Sequence, residues 1–151
     1  FSDAYAPFFL GVFSADEDES VEGPEGLADK TIGVTRGAVE DMELSNIAPD
    51  STTVQRFEDN ATTISAFLSG QVDYVATGNV VAAEIAERNS DRAPSLIYQL
   101  KDSPCYVGMN KNEPALMEEV NRLIAQGLED GTLNELSQRW FSADLPENFG
   151  S

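Results

Sequence analysis

The sequence contains no histidine and only one cysteine, Cys105. Without histidine the chain lacks the usual general base and metal ligand, and it cannot form a Ser-His or Cys-His nucleophile pair. A lone cysteine cannot close an internal disulfide, and its place in the apolar run 105–109 indicates a buried small side chain. We therefore expect no metal, no cofactor and no catalytic residue, and most hydrolase chemistries are disfavoured.

Basic residues are also scarce, because 9 Lys and Arg stand against 27 Asp and Glu, for a formal net charge of −18. A charge of this sign repels phosphate backbones and anionic membrane surfaces, so we expect no nucleic-acid partner. No apolar run approaches the roughly 18 residues that a membrane-spanning helix needs. The 151 residues, 41% of them hydrophobic, are enough for an ordinary buried core.

Apolar strand patterns alternate with helical patterns through the first two thirds of the chain. Strands are predicted at 8–13, 31–35, 53–57, 72–77 and 96–100, and helices at 38–48, from Asp59 or Asn60 to Gly70, and at 80–88. This alternation predicts an α/β fold with an open, mainly parallel sheet and helices on both faces. A strand at 105–109 and two successive helices complete the pattern.

Three local features give further expectations. The segment between Ala15 and Lys30 holds seven carboxylates without the alternating spacing of a calcium loop, so we expect a mobile, solvated excursion. Asn79 is expected to cap the helix at 80–88. Thr132 and Glu135 have the spacing of a capping box for the last helix.

Five segments, in order along the chain, resemble the motifs of one family. Residues 1–5 (FSDAY) resemble Phe-Ser-Asp-Pro-Tyr, and residues 26–34 (GLADKTIGV) resemble L-x-GK-x-(I/V)-GV. Residues 67–75 (FLSGQVDYV) resemble L-x-x-G-(K/R)-(V/I)-DA-V, and 130–133 with 139–141 resemble DGT-x…KWF. Together they make the chain similar to bacterial solute-binding proteins of the amino-acid ABC-transporter type, whose fold the ionotropic glutamate-receptor ligand domains share.

The resemblance implies a type II periplasmic-binding-protein-like fold, in which two α/β lobes joined by crossing strands clamp the ligand. It assigns residues 1–9 to the first crossing, 10–102 to one full lobe, and 103–151 to the return crossing and C-terminal helices of the other lobe. Most of that N-terminal lobe, with the arginine that grips the ligand carboxylate in relatives, is expected to lie outside this sequence. The apolar residues after Asn112 are then expected to stay exposed or to be covered by self-association.

The resemblance also implies a binding turn after the second predicted strand. In the family, this turn aims backbone N–H groups at the ligand carboxylate, as the unpaired donors of a helix N-terminus allow. It begins at Thr35, and Gly37 permits close backbone approach. The expected donors are the amides of Ala38, Val39 and Glu40. The Glu40 side chain either faces the ligand, favouring a cationic or hydroxylated group, or is a solvent-facing acid of the first helical turn.

A second part of the site is expected at the end of the strand at 72–77. Amino-acid binders of the family usually carry an acid there, which holds the ligand ammonium. This chain has Thr77 followed by Gly78, which offers no carboxylate. Either the solute lacks a conventional α-ammonium, or Glu40 or a residue of the other lobe binds it instead.

The function that the resemblance implies is non-enzymatic. It is that of the substrate-binding component of an ABC transporter, made with a signal peptide, which captures a polar amino acid or related solute in the periplasm for a membrane permease. Two alternatives share the fold: a periplasmic dehydratase of prephenate-like acids, with Glu40 as the acid–base candidate, and a sensory ligand-binding module. With one lobe largely absent, this chain alone is expected to bind its solute weakly or not at all.

Overall fold

The structure is a computed structural model that describes residues 1–150. Its strands and helices occur in the order β1 (Ala4–Ala6), β2 (Phe9–Ser14), β3 (Thr31–Thr35), α1 (Val39–Ile47), β4 (Thr53–Phe57), α2 (Asn60–Leu68), β5 (Tyr74–Gly78), α3 (Asn79–Arg88), β6 (Ser95–Asp102), β7 (Cys105–Tyr106), α4 (Pro114–Glu129) and α5 (Thr132–Phe141). None of the helices in residues 1–150 combines the length and apolarity that a membrane crossing requires.

The described residues divide into two compact units. The sheet unit is Phe9–Lys101, and the terminal unit joins Phe1–Phe8 to the chain from Asp102 onward. The boundaries expected from the sequence, after residues 9 and 102, each lie one residue further along the chain. The binding turn and the strand end predicted to form the site both belong to the sheet unit.

The sheet unit holds a five-stranded sheet in the order β4-β3-β5-β2-β6. β3 is parallel to both β4 and β5, as strands joined through helices usually are. β2, which precedes the first strand–helix repeat, runs antiparallel to β5, with Leu10 opposite Gly78 and Ser14 opposite Tyr74. The expected α/β class is therefore confirmed, and the sheet is mixed.

Two apolar clusters cover the two faces of this sheet, because successive strand side chains point to opposite sides. Val12 and Phe13 of β2 illustrate the alternation, since they belong to different clusters. The first cluster, on the α1 side, contains Val12, Leu27, Ile32, Val34, Leu44, Tyr74, Ala76 and Ile97. The second, under α2 and α3, contains Phe13, Ala66, Phe67, Val72, Val75 and Ala82. Helices on both faces are thus confirmed.

The acidic segment between β2 and β3 is anchored, which corrects the expectation of a mobile excursion. Leu27 in its short 3₁₀ turn is fully buried in the first cluster. Glu19 accepts hydrogen bonds from the buried Tyr74 hydroxyl and from Ser14 Oγ. Burial, followed by the neighbouring Glu19 carboxylate, raises the pKa of Tyr74 well above its usual range. A buried tyrosine hydroxyl requires a hydrogen-bond partner. Because Glu19 is that partner, the acidic segment is bonded to β5 of the sheet.

The terminal unit pairs β1 with β7 in an antiparallel ladder. β7 is shorter than the strand expected at 105–109. Beyond Tyr106 the Ser2 N–H donates to the Val107 carbonyl oxygen at 2.9 Å, and the Val107 N–H donates to the Ser2 hydroxyl at 2.9 Å. The Asp3 N–H, following Ser2, donates to Asn121 Oδ1 of α4 at 2.8 Å, so side chains supplement the backbone pairing at this end.

The last helix is not started by the expected capping box of Thr132 and Glu135. Its N-cap is Gly131, whose left-handed backbone has a φ of 84°. Thr132 is already helical, and its N–H donates to Asp130 Oδ1 at 2.9 Å. The helix therefore begins one residue earlier than the spacing predicted, directly after the left-handed Gly131.

Large apolar side chains remain exposed on both helices of the terminal unit. Leu116 and Leu123 of α4 are 49% and 52% exposed, and Leu136 and Trp140 of α5 are 42% and 63% exposed. Ile124, by contrast, is buried. Exposure of apolar residues after Asn112 was one of the two outcomes expected, and self-association stays a prediction.

Two substitutions in α1 test the packing of the sheet unit. Leu44 is fully buried and Met42 is 56% exposed on the same helix. Leu44→Ala should lower the free energy of unfolding by about 2–5 kcal/mol, because it leaves a cavity in the core. Met42→Ala should change it by no more than about 0.5 kcal/mol. Chemical denaturation measures both, and equal effects would show that α1 does not pack as described.

Candidate functional site

The predicted site residues lie at the carboxyl ends of β3 and β5, which are neighbours in the sheet. Their parallel register pairs Ile32 with Tyr74, so the strands end side by side at Thr35 and Gly78. We call this end of the sheet the carboxyl edge. Ligands of open α/β sheets bind in the crevice outside such strand ends. The structure thus brings both groups of predicted residues to one edge.

The turn between β3 and α1 is fixed by its own hydrogen bonds. Gly37 is left-handed, with a φ of 74°, a conformation that strains any residue with a Cβ. Its N–H donates to Asp41 Oδ2 at 3.0 Å. The Ala38 N–H donates to the carbonyl oxygen of Thr35 at 3.1 Å. Of the three amides expected to face a ligand, that of Ala38 is therefore already paired within the chain.

The next two amides have no partner in the part of the chain that the structure describes. α1 begins at Val39, and its N-cap Ala38 offers no side chain that could accept a hydrogen bond. The N–H groups of Val39 and Glu40 consequently meet no acceptor among residues 1–150. Unpaired donors and the positive end of the helix dipole favour an anion at this position. The turn can therefore bind a carboxylate.

The Thr35 hydroxyl is occupied by α2. Its Oγ1 lies 2.7 Å from Asn60 Oδ1 and 3.0 Å from Thr63 Oγ1. Asp59, the N-cap of α2, accepts the Thr62 N–H at 2.8 Å, as the sequence allowed. Thr35 thus joins the carboxyl end of β3 to the first turn of a second helix. Its side chain contributes to the shape of the carboxyl edge through this contact.

The end of β5 is built differently from the sequence-based expectation. The N-cap of α3 is Gly78, in extended conformation, and Asn79 is the first helical residue. Asn79 Oδ1 accepts the Phe9 N–H at 3.1 Å instead of capping the helix, so the predicted cap is wrong. Thr77 is buried opposite Gly11 of β2. The Asn79 side-chain oxygen, which the sequence predicted to cap α3, is thus bonded to the Phe9 amide at the start of β2.

Asp41 is the part of the turn that sequence analysis missed. It is 7% exposed, and besides Gly37 it binds Arg56 of β4, whose Nε lies 2.8 Å from Oδ1 and 3.0 Å from Oδ2. The sequence places Asp41 three residues after Ala38, the spacing of the acid in a capping box. Because alanine replaces the usual hydroxyl residue at the N-cap, that signal is incomplete.

The Asp41 carboxyl is ionised over an extended pH range. Burial alone raises its pKa, but the Gly37 N–H, the Arg56 guanidinium and the Ser45 hydroxyl together outweigh burial, so the pKa of Asp41 is lowered. A carboxyl with a lowered folded-state pKa contributes its full stabilisation above its ordinary pKa. That contribution is lost only as the pH falls through the lowered value.

Charged side chains flank the turn. Arg36 and Glu58 approach to 3.1 Å, but their side chains are 62% and 79% exposed, so the pair contributes little to stability. Glu40 is half-buried and has no ion-pair partner among the described residues. Its carboxylate is available to a cationic or hydroxylated group at the carboxyl edge, which keeps both sequence-based alternatives for Glu40 open.

One pocket of the sheet unit lies away from the carboxyl edge. Residues 1–150 contain no group of three or more His, Cys, Asp or Glu side chains placed to hold a metal ion. A cavity of about 410 Å³ lies at the far end of α3, lined by Leu68 and residues 88–92. Since α3 has 10 residues and starts at the carboxyl edge, this cavity is about 15 Å from the predicted site.

The chain matches the family model of bacterial extracellular solute-binding proteins, family 3, over residues 1–143. It is 29% identical to the ABC transporter glutamine-binding protein GlnH of Bacillus subtilis (strain 168), over 97% of this chain and 53% of the relative. The chain thus spans about half the length of the curated relatives it matches.

Two solved structures are similar to the fold. An ancestral cationic amino acid solute-binding protein superposes with a TM-score of 0.77 at 25% identity, over 93% of this chain and 61% of that one. The amino acid ABC transporter substrate-binding protein AbpA of Streptococcus pneumoniae, bound to L-arginine, gives a TM-score of 0.65 at 26% identity, over 97% and 62%. With the family model covering residues 1–143, this chain belongs to the bacterial extracellular solute-binding proteins, family 3.

Proposed function

We propose that this chain is part of the substrate-binding component of an ABC transporter and contributes one side of a binding site for a polar amino acid or a related small solute. The observation that carries the proposal is the turn before α1, where the Val39 and Glu40 N–H groups at a helix N-terminus find no partner among residues 1–150. The names of GlnH and AbpA as amino-acid transport proteins support the same class of solute.

In this proposal the two amides bind the α-carboxylate of the solute. Backbone donors suit this task because they need no side-chain ordering and cannot titrate. Gly37 supplies the left-handed backbone of the turn. The Ala38 N–H is paired with the Thr35 carbonyl oxygen, so Val39 is the first residue with an amide available to the solute. The Thr35 hydroxyl holds the end of β3 against α2. Glu40 is the acid that faces the solute's positive groups, since Gly78 supplies none. Thr77 and Gly78 form the adjacent wall at the end of β5.

The partners and location follow from the family. A solute-binding protein of this type delivers its solute to a membrane permease, and we propose a periplasmic or otherwise extracytoplasmic location for the protein that contains this chain. Binding between two lobes stabilises the closed form through contacts with both sides. This chain contributes only one set of those contacts, so we propose that by itself it binds its solute weakly.

An NMR titration of this chain with arginine and glutamine tests the proposed carboxylate site. Either amino acid should shift the amide resonances of Val39 and Glu40, with a Kd in the millimolar range. Agmatine, which is arginine without its carboxylate, should leave both resonances in place. The carboxylate site is wrong if agmatine and arginine give the same shifts. A nanomolar to low-micromolar Kd in calorimetry would contradict weak binding by the chain alone.

A substitution at Val39 removes one of the two donors without breaking the helix. Proline is tolerated at the first helical position, and Ala38 already has the extended backbone, with ψ of 163°, that a following proline requires. Val39→Pro should therefore weaken arginine binding by about tenfold, the size of one lost hydrogen bond to a charged group. Val39→Ala keeps the N–H and should bind within about twofold of the wild type. A Val39→Pro chain that binds normally would exclude this amide as a contact.

The dehydratase alternative makes a different prediction at Glu40, its one acid–base candidate. If the chain is not an enzyme, prephenate should be turned over no faster with the wild type than with Glu40→Gln. The same substitution should weaken the binding of arginine more than that of glutamine. Spectrophotometric turnover assays and the same titrations measure the two effects. Turnover that Glu40→Gln abolishes would favour the enzyme.

A further inference from the structure

The Asp41 carboxylate is held by the sheet, although it lies on a helix. Its partner Arg56 belongs to β4 and pairs in parallel register with Val34 of β3. The Arg56 Nη2 donates onward to Ser45 Oγ at 2.9 Å. A carboxylate anchored in this way has little freedom, and the Gly37 N–H that it accepts is placed at a fixed distance from the strands.

The hydrogen bond between Asp41 and Gly37 determines the backbone conformation of Gly37, which has no side chain to restrict it. Gly37 populates left- and right-handed backbone regions almost equally in an unrestrained chain. The bond from its N–H to Asp41 Oδ2 selects the left-handed form with φ of 74°. Because Val39 and Glu40 follow within three residues, the directions of their free N–H groups depend on that selection.

Charge balance requires Arg56 as well as Asp41. The Glu40 carboxylate already lies on this turn, and a bare Asp41 carboxylate would add a second negative charge that repels an anionic group bound to the Val39 and Glu40 amides. The Arg56 guanidinium offsets this repulsion because two of its contacts to Asp41 are 3.0 Å or shorter. The pair therefore supplies an acceptor for Gly37 without adding net negative charge to the anion site.

We propose that Asp41, clamped by Arg56, is a positioning residue for the carboxylate-binding turn: it sets the Gly37 conformation and so aims the Val39 and Glu40 amides, without touching the solute. This inference rests on the proposed function. It assigns the geometry of the turn to an ion pair whose Asp41 side chain is buried and whose Arg56 side chain is 41% exposed.

Asp41→Asn and Arg56→Gln test the inference in this chain. Each variant should speed hydrogen exchange of the Gly37 amide about tenfold or more, because a charge-assisted hydrogen bond is lost or weakened. Each should also raise the Kd for arginine about tenfold, with agmatine unaffected. The double variant should be no worse than the worse single variant, since both substitutions disrupt one unit.

Glu43→Gln is the matched control. Glu43 lies on the same helix and pairs with Lys101 at 3.0 Å, with no contact to the turn. Its substitution removes one carboxylate from α1 and should leave Gly37 exchange and the arginine Kd within about twofold of wild type. Chemical denaturation of every variant identifies any that is not folded, and the Kd is compared only among folded chains.

The outcomes separate the inference from the proposed function. If Asp41→Asn and Arg56→Gln bind arginine as the wild type does, the ion pair has only a structural role and the inference is overturned, whatever the denaturation results. If Asp41→Asn fails to fold, Arg56→Gln, which retains the Asp41 acceptor, decides the question. If arginine and glutamine fail to shift Val39 and Glu40 in the wild type, the proposed function falls and the inference with it. Gly37 exchange then still reports the ligand-free geometry.

Discussion

The parallel pairing of β3 with β5 is the constraint from which the site geometry follows. Ile32 opposite Tyr74 sets the register, and this register ends the two strands at the same edge. α1 on one face and α2 with α3 on the other bury both sides of the pair in apolar clusters. Strands buried on both faces move little. The turn after β3 and the strand end at Gly78 are therefore held in a constant relation.

The sequence predicted those features that depend on local pattern. The alternation of apolar runs located β3, β4 and β5, and α1 was expected at 38–48 where the structure has Val39–Ile47. Family motifs added the expected position of a binding turn, whose role in binding stays a prediction. Contacts between distant residues were not predictable in this way. Asp41 and Arg56 are 15 residues apart, and Glu19 and Tyr74 are 55 apart, so neither pair leaves a periodic signal.

The error in the predicted cap of α3 has the same physical origin. Asn79 had the right residue type and spacing for a cap, but the Phe9 amide at the start of β2 competes for its side-chain oxygen. An unpaired amide at the half-buried start of β2 costs more than an uncapped helix end, whose donors can be satisfied by solvent or ligand. The need of the Phe9 amide for a hydrogen-bond acceptor therefore determines the role of the Asn79 side chain. The start of α3, at the carboxyl edge, is therefore left without a side-chain cap.

The net charge of −18 and the proposed carboxylate-binding turn place opposite demands on a solute. The field of the protein repels a simple anion, and at physiological salt it extends about 8 Å from the surface. The amides of Val39 and Glu40 act only at hydrogen-bond distance. A zwitterion or a cationic amino acid satisfies both demands, because its positive groups offset the field while its carboxylate reaches the amides. Together with the unpaired Glu40, this balance disfavours a dicarboxylic solute and supports the proposed class.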